Sequence, residues 1–216
     1  MARQPWGRAA SVTKLAIALV LIALAATPAL ATTLDGFSST DLSGYVVGGT
    51  PGWFVTNEQL AHTYTSNTSF VELVRPADTP RAEADLTLSP GRSNAGLTVL
   101  WKDHNNHLWA KLEISPGNPL GLMTIGRRRS GAVTSRLAYS TGGLTKGATY
   151  HVVLSVDSGV ATFTVTGISE SFSKTLSYQL TTTDLTAFGS GTKAGVRAKY
   201  LYDEDDGGSR WDNLIV

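Results

Sequence analysis

Residues 95–115 read Ala95-Gly96-Leu97-Thr98-Val99-Leu100-Trp101-Lys102-Asp103-His104-Asn105-Asn106-His107-Leu108-Trp109-Ala110-Lys111-Leu112-Glu113-Ile114-Ser115. Asp103-His104-Asn105-Asn106 are residue types that tolerate the left-handed backbone of a tight hairpin turn. Folding the chain about their centre opposes positions whose numbers sum to 209. One face then carries Ala95/Ile114, Leu97/Leu112, Val99/Ala110 and Trp101/Leu108, all apolar. The other carries Gly96/Glu113, Thr98/Lys111, Leu100/Trp109 and Lys102/His107. A slip of one residue would mix the two sets, so the pattern itself decides which side chains point inward. Burying a large apolar side chain is worth about 1.5–3 kcal/mol. That drives the first set into a core and turns the second toward water or a ligand.

The same short alternating runs, separated by Gly, Asn, Asp or Ser, recur on both sides of this hairpin. Candidate strands include residues 44–47, 53–56, 59–65, 69–74, 82–88, 122–129, 133–139, 149–156, 160–166, 171–178, 195–202 and 211–216. No apolar stripe of 3.6-residue period competes with them. An all-β chain with this many short strands suits two packed antiparallel sheets better than one open sheet. A single helical turn is expected at residues 184–188, with Asp184 as its cap and Gly189 as its end.

Residues 1–31 have the composition of a removable secretory leader. A basic start with Arg3, Arg8 and Lys14 is followed by twelve apolar residues, Leu15 to Ala26, and then by the small-residue site Ala29-Leu30-Ala31. Twelve is short against the roughly 20 needed to span a bilayer. Secretion and one mature domain over residues 32–216 are therefore expected. That portion carries 15 Lys and Arg against 17 Asp and Glu, a net charge of −2, which gives no support to a nucleic-acid partner. With no cysteine there is no disulfide framework, thiolate metal site or cysteine nucleophile. Asn67-Thr68-Ser69 fits a glycosylation sequon, which matters only in a eukaryotic secretory route.

Several segments, taken in order, resemble the concanavalin A-like lectin/glucanase superfamily and its laminin-G-like jelly rolls. They are Asp35-Gly36-Phe37, the run from Trp53 to Leu60, Arg81 to Leu88, Ala95 to Val99 with the turn at Asp103 to Asn106, Lys193 to Ala198, and Trp211 to Val216. The resemblance covers nearly all of the chain after the leader. It implies a two-sheet sandwich with one face that often binds glycans. The superfamily also contains hydrolases and purely structural modules, so fold alone leaves function open.

Trp109 is the most informative residue, because strand parity places it on the polar face, where a flat indole offers a stacking platform for a sugar ring. Lys102, His107, Lys111 and Glu113 surround it in the hairpin, and Arg197 and Lys199 share its outward parity on a later strand. The alternative is that Trp109 packs against Leu100 beneath a loop or on a second sheet region. The Glu-x-Asp-x-Glu catalytic pattern of the glucanases starts at Glu83 and Asp85 but has Thr87 and Leu88 where its last carboxylate belongs. Retaining hydrolysis needs such a pair about 5 Å apart.

His104 and His107 flank a turn without a third zinc ligand nearby in sequence. The acidic run 203–206 lacks the bidentate acid of a calcium loop and reads as a solvated hairpin tip. Asp212 is expected to face inward with Leu214 and Val216. A buried carboxylate needs a partner, and the resemblance implies a structural calcium there, completed by main-chain oxygens near residues 35–37; backbone amides would satisfy Asp212 equally well. Arg127-Arg128-Arg129 reads as a solubilising edge device. The expected function is a secreted, non-catalytic polysaccharide-binding module. A structural or adhesion domain, or a hydrolase with carboxylates from separated strands, are the alternatives.

Overall fold

The structure, a computed structural model, describes residues 34–49, 52–62, 70–199 and 208–216. The expected leader, the sequon and the acidic run 203–206 lie outside the described residues. Two antiparallel sheets stack face to face. The eight-stranded sheet holds β1 (Leu34–Asp35), β3 (Trp53–Thr56), β4 (Gln59–His62), β6 (Arg81–Thr87), β11 (Thr149–Asp157), β12 (Val160–Gly167), β13 (Ser173–Gln179) and β15 (Arg210–Ile215). The seven-stranded sheet holds β2 (Val46–Gly48), β5 (Phe70–Pro76), β7 (Ser93–Asp103), β8 (Asn106–Ser115), β9 (Asn118–Arg129), β10 (Ala132–Thr141) and β14 (Lys193–Lys199). Their spatial orders are β13-β12-β11-β6-β15-β4-β3, with β1 beside β15, and β10-β9-β8-β7-β14-β5-β2. This is the two-sheet jelly-roll sandwich expected from the strand pattern.

Between the sheets lies one apolar cluster, to which Leu86, Val152, Leu154, Phe163 and Trp211 contribute from one side and Leu97, Val99, Leu108, Leu112 and Ile125 from the other. On β6 burial alternates strictly, with Ala82, Ala84 and Leu86 inward and Glu83, Asp85 and Thr87 outward and half-exposed. On β8 every residue from His107 to Leu112 is buried, so both faces of the smaller sheet are covered there.

The decisive hairpin forms, with one change of register. Asp103 opposes Asn106 as expected, but Leu100 adopts a left-handed φ of 50° and makes a bulge. Beyond it Ala95 opposes Leu112, Leu97 opposes Ala110 and Val99 opposes Leu108. The slip is by two residues, which preserves faces, so the apolar set stays inward. The partners change: Thr98, rather than Leu100, stands opposite Trp109, and Gly96 opposite Lys111. The bulge also reverses parity at its own position. Leu100 joins the core cluster, and Trp101, expected inward, leaves it.

Helix α1 (Thr182–Phe188) starts earlier than expected. Thr181, not Asp184, is the cap: its hydroxyl accepts from the Asp184 amide at 3.2 Å, and the Asp184 carboxylate accepts from the Thr181 amide at 3.2 Å. This reciprocal arrangement satisfies two orphan amides at once. Asp184 is also fully buried and paired with Arg127 and Arg129. The Arg127-Arg128-Arg129 run is therefore no edge device: β9 is interior to its sheet, and two of the three arginines tie it to α1.

Asp212 does not face inward. Trp211 is the fully buried neighbour, its indole donating to the Gly96 carbonyl at 3.1 Å, while Asp212 stands opposite Asp85 and is half-exposed. Asn213, with φ of 51°, and a break in register between Asp212 and Ile215 restore Leu214 and Val216 to the interior. The Asp35 carboxylate accepts from the Phe37 amide and the Tyr45 hydroxyl, at 2.8 and 2.7 Å. Among the described residues no three His, Asp or Glu side chains group as metal ligands.

Candidate functional site

The outer face of the seven-stranded sheet, turned away from the core, collects the chemistry-bearing residues. Strand pairing lays them in rows. Tyr139, Thr124, Lys111, Gly96, Arg197, Glu72 and Gly48 stand side by side from β10 to β2. Gly126, Trp109, Thr98, Gly195 and Val74 form the next row. The glycines leave room for large neighbours. A Cβ at Gly126 would lie 2.2 Å from the Trp109 ring, and one at Gly48 would lie 2.5 Å from Glu72 and 3.3 Å from Trp101.

Trp109 is on the outer side that its parity predicts, since it is not part of the inter-sheet cluster, yet it is fully buried. The Arg197 guanidinium fills the space over its ring, 4.0 Å from its centroid and 3.5 Å from that of Phe70, so that the cation lies between two aromatic planes. The expected open stacking platform is thus occupied by a cation–π sandwich. Lys111 lies 5.9 Å from the same indole and pairs with Glu113, which also accepts from Ser115 and Asn118.

Beside this sandwich sits a buried charge network. Glu72, with no exposure, accepts a hydrogen bond from His104 Nδ1 at 2.7 Å, and His107 Nε2 and Arg197 Nε stand near its other oxygen at 3.4 and 3.8 Å, beyond hydrogen-bond geometry. His104 donates from Nδ1 to Glu72 and accepts from Arg128 at Nε2, so its neutral tautomer satisfies both neighbours. Burial pushes His107 down to about 4 against the pull of Glu72, and pushes Arg197 down to about 9 against the same carboxylate. Burial alone would raise Glu72; the His104 hydrogen bond and the cationic groups around it outweigh burial and hold it below the ordinary glutamate range. Glu113 is lowered in the same way, its burial outweighed by Lys111. Glu72 Oε1, His107 Nε2, Trp109 Nε1, Thr124 Oγ1 and Arg197 Nε are buried without hydrogen-bond partners among the described residues.

Of the residues expected from the sequence, the fold brings His107, Trp109, Lys111, Glu113 and Arg197 together. Lys102 lies exposed at the turn end of β7 and joins none of these ion pairs. Asp212 lies on the other sheet. Glu72, Phe70, His104, Arg128 and Tyr139 were not expected there. Glu72 had a signal, because a lone acid inside Phe70-Val71-Glu72-Leu73-Val74 must find a buried partner.

No protein-family model and no curated protein matches the sequence. Solved structures do. Lectin II from Ulex europaeus is similar at a TM-score of 0.62 and 9% identity, over 86% of this chain and 97% of that one. The CBM2 module of the evolved Dit of Lactobacillus casei BL23 phage J-1 is similar at 0.59 and 9%, over 85% and 93%. Carbohydrate binding module CBM66 from Bacillus subtilis is similar at 0.52 and 15%, over 79% and 93%. At such identities the likeness is one of fold, and the fold is the concanavalin A-like jelly roll.

Proposed function

We propose that the chain is a secreted, non-catalytic carbohydrate-binding module that holds polysaccharide on the outer face of its seven-stranded sheet. The observation that carries this reading is the row in which Tyr139, 56% exposed, leads through Thr124 to Lys111 and Arg197. An accessible aromatic ring in line with donors suits a pyranose, whose apolar face stacks while its hydroxyls hydrogen-bond. Lys111 and Glu113 offer a donor and an acceptor two residues apart on one strand. Trp109 serves beneath them by holding Arg197 in place rather than by touching sugar, and His107 braces the Glu72 carboxylate. The lectin and carbohydrate-binding neighbours support the reading at the level of fold.

On the outer face of the seven-stranded sheet the non-catalytic part is supported by spacing. Glu72 and Glu113 are separated by three strand-to-strand steps, about 14 Å at about 4.8 Å each. Glycosidases need carboxylates roughly 5–10 Å apart. Affinity electrophoresis through a panel of soluble polysaccharides tests the proposal. At least one polymer should retard the protein, and Tyr139→Ala should weaken that retardation by about tenfold without moving the thermal midpoint. No retardation by any polymer, or unchanged retardation in both Tyr139→Ala and Lys111→Met, would overturn it.

A further inference from the structure

Resting on that carbohydrate-binding reading, we propose that the glycan is acidic, a polymer bearing carboxylate or sulfate groups, and that a cleft beyond the end of β8 takes a second of its anionic groups. The cleft, of about 270 Å³, is lined by Gly91, Arg92, Ser115, Pro116, Pro119 and Lys146. Among the described residues its charged lining residues are both cations, and they come from two separate connections, Arg92 between β6 and β7 and Lys146 between β10 and β11. Both are exposed, and neither pairs with a carboxylate among the described residues.

Ser115 joins this cleft to the face already described, since it lines the cleft and donates to Glu113 at 3.3 Å. From Lys111 to Ser115 the strand advances about 13 Å, so one extended polymer lying along β8 reaches both places. Among the described residues Lys111 is paired with Glu113 and Arg197 with Glu72, whereas Arg92 and Lys146 at the cleft have no carboxylate partner. Residues 32–216 as a whole carry −2. The cations without a carboxylate partner are therefore local to the cleft end of the proposed path, where they match a chain of anions and waste their desolvation on a neutral one.

The two anion sites also differ in character. At the inner one, Lys111 is the donor nearest the surface, paired with Glu113 and backed by Arg197, which is buried between Phe70 and Trp109 beside Glu72. At the outer one, Arg92 and Lys146 are solvated and flexible. A polymer held at both gains by linkage what neither site supplies alone.

Calorimetric titration of the full chain with polygalacturonate, chondroitin sulfate, β-1,3-glucan and levan, at about 0.05 M and 0.5 M salt, tests this. An acidic polymer should bind about tenfold tighter than either neutral one and lose about tenfold at the higher salt. Polygalacturonate against chondroitin sulfate separates carboxylate from sulfate recognition. The double variant Arg92→Gln/Lys146→Gln should weaken acidic-polymer binding by about tenfold with an unchanged thermal midpoint. Arg81→Gln, which removes a cation from the opposite sheet, should bind as the parent does. Tight, salt-independent binding of a neutral glycan overturns the acidic assignment and leaves the carbohydrate-binding reading standing. Acidic-polymer binding unchanged in the double variant overturns the second site, and binding of none of the four polymers counts against both.

Discussion

β6 and β8 occupy comparable central places in their sheets, and each turns every second side chain into the same core. Their outer sides differ. On β6, Glu83 and Asp85 flank His151 and remain half-exposed, with Asn213 completing the hydrogen bonding of Asp85 at 2.8 Å. On β8, His107, Trp109 and Lys111 are buried, and the neighbouring Glu72 and Arg197 have almost no exposure at all. Water can satisfy the first group at little cost. The second has exchanged water for protein and depends on one another's charges and π-faces. Polar residues on an outer sheet face are thus two different things, a solvated surface and a second interior, and only the second constrains what surrounds it.

The largest test of that contrast is to remove the charge or the ring at the centre of the second interior. Glu72→Ala leaves the Arg197 cation buried without its carboxylate and should cost about 3–5 kcal/mol of folding stability. Trp109→Ala opens the floor beneath Arg197 and should cost a similar amount, about 3–5 kcal/mol. Both are read from urea unfolding midpoints. Losses under about 1 kcal/mol would mean that this face is solvated like its counterpart.

A middle-sized effect follows from acidification. His107 is held neutral by burial, its folded value near 4 lying below the unfolded value of about 6.5. Between those values the unfolded chain binds a proton that the folded chain refuses, so stability falls as pH is lowered through that window. The contribution is about 3 kcal/mol once pH has reached 4. Glu72, Glu113 and Asp184, whose folded values are depressed, add their own loss only below the usual carboxylate range. Unfolding midpoints measured from pH 7 to 4 should decline in the parent and be flatter in His107→Gln. Parallel curves would remove His107 as the source.

The contrast also explains what the sequence made legible. Alternation around Asp103-His104-Asn105-Asn106 sufficed for the hairpin, its inward face and the two-sheet class, because a two-residue slip at Leu100 leaves faces unchanged. The same bulge hid Trp101: one left-handed residue reverses parity, and nothing about Leu100 announces that it will adopt φ of 50°. Asn213 hid the outward turn of Asp212 in the same manner. The site was legible only in part, since parity places Trp109 on a side but does not say what lies over it. Arg197 and Phe70 arrive there from strands far away in sequence, through the pairing of β14 with β5 and β7. The role of the arginine run 127–129 is not legible locally, because its counter-charge, Asp184, lies more than fifty residues away.

The smallest expected effect belongs to the solvated face. His151 is 41% exposed, its Nδ1 is 2.9 Å from Asp85 and its Nε2 is 3.4 Å from Glu83. A pair that open to solvent gains little over its separate hydration and is screened by salt, so His151→Ala and Asp85→Asn should each cost less than about 1 kcal/mol near neutral pH. Urea midpoints would show a cost above about 2 kcal/mol, which would mean that this face too is held by its polar network and that burial does not divide the two sheets as argued. The same two variants sharpen the functional side. Retardation by polysaccharide should be unchanged in both, because neither residue lies on the seven-stranded sheet. A loss in Asp85→Asn with an unchanged midpoint would move the binding surface to the acidic face, where a carboxylate pair and an imidazole, rather than Lys111 and Arg197, would have to recognise the sugar.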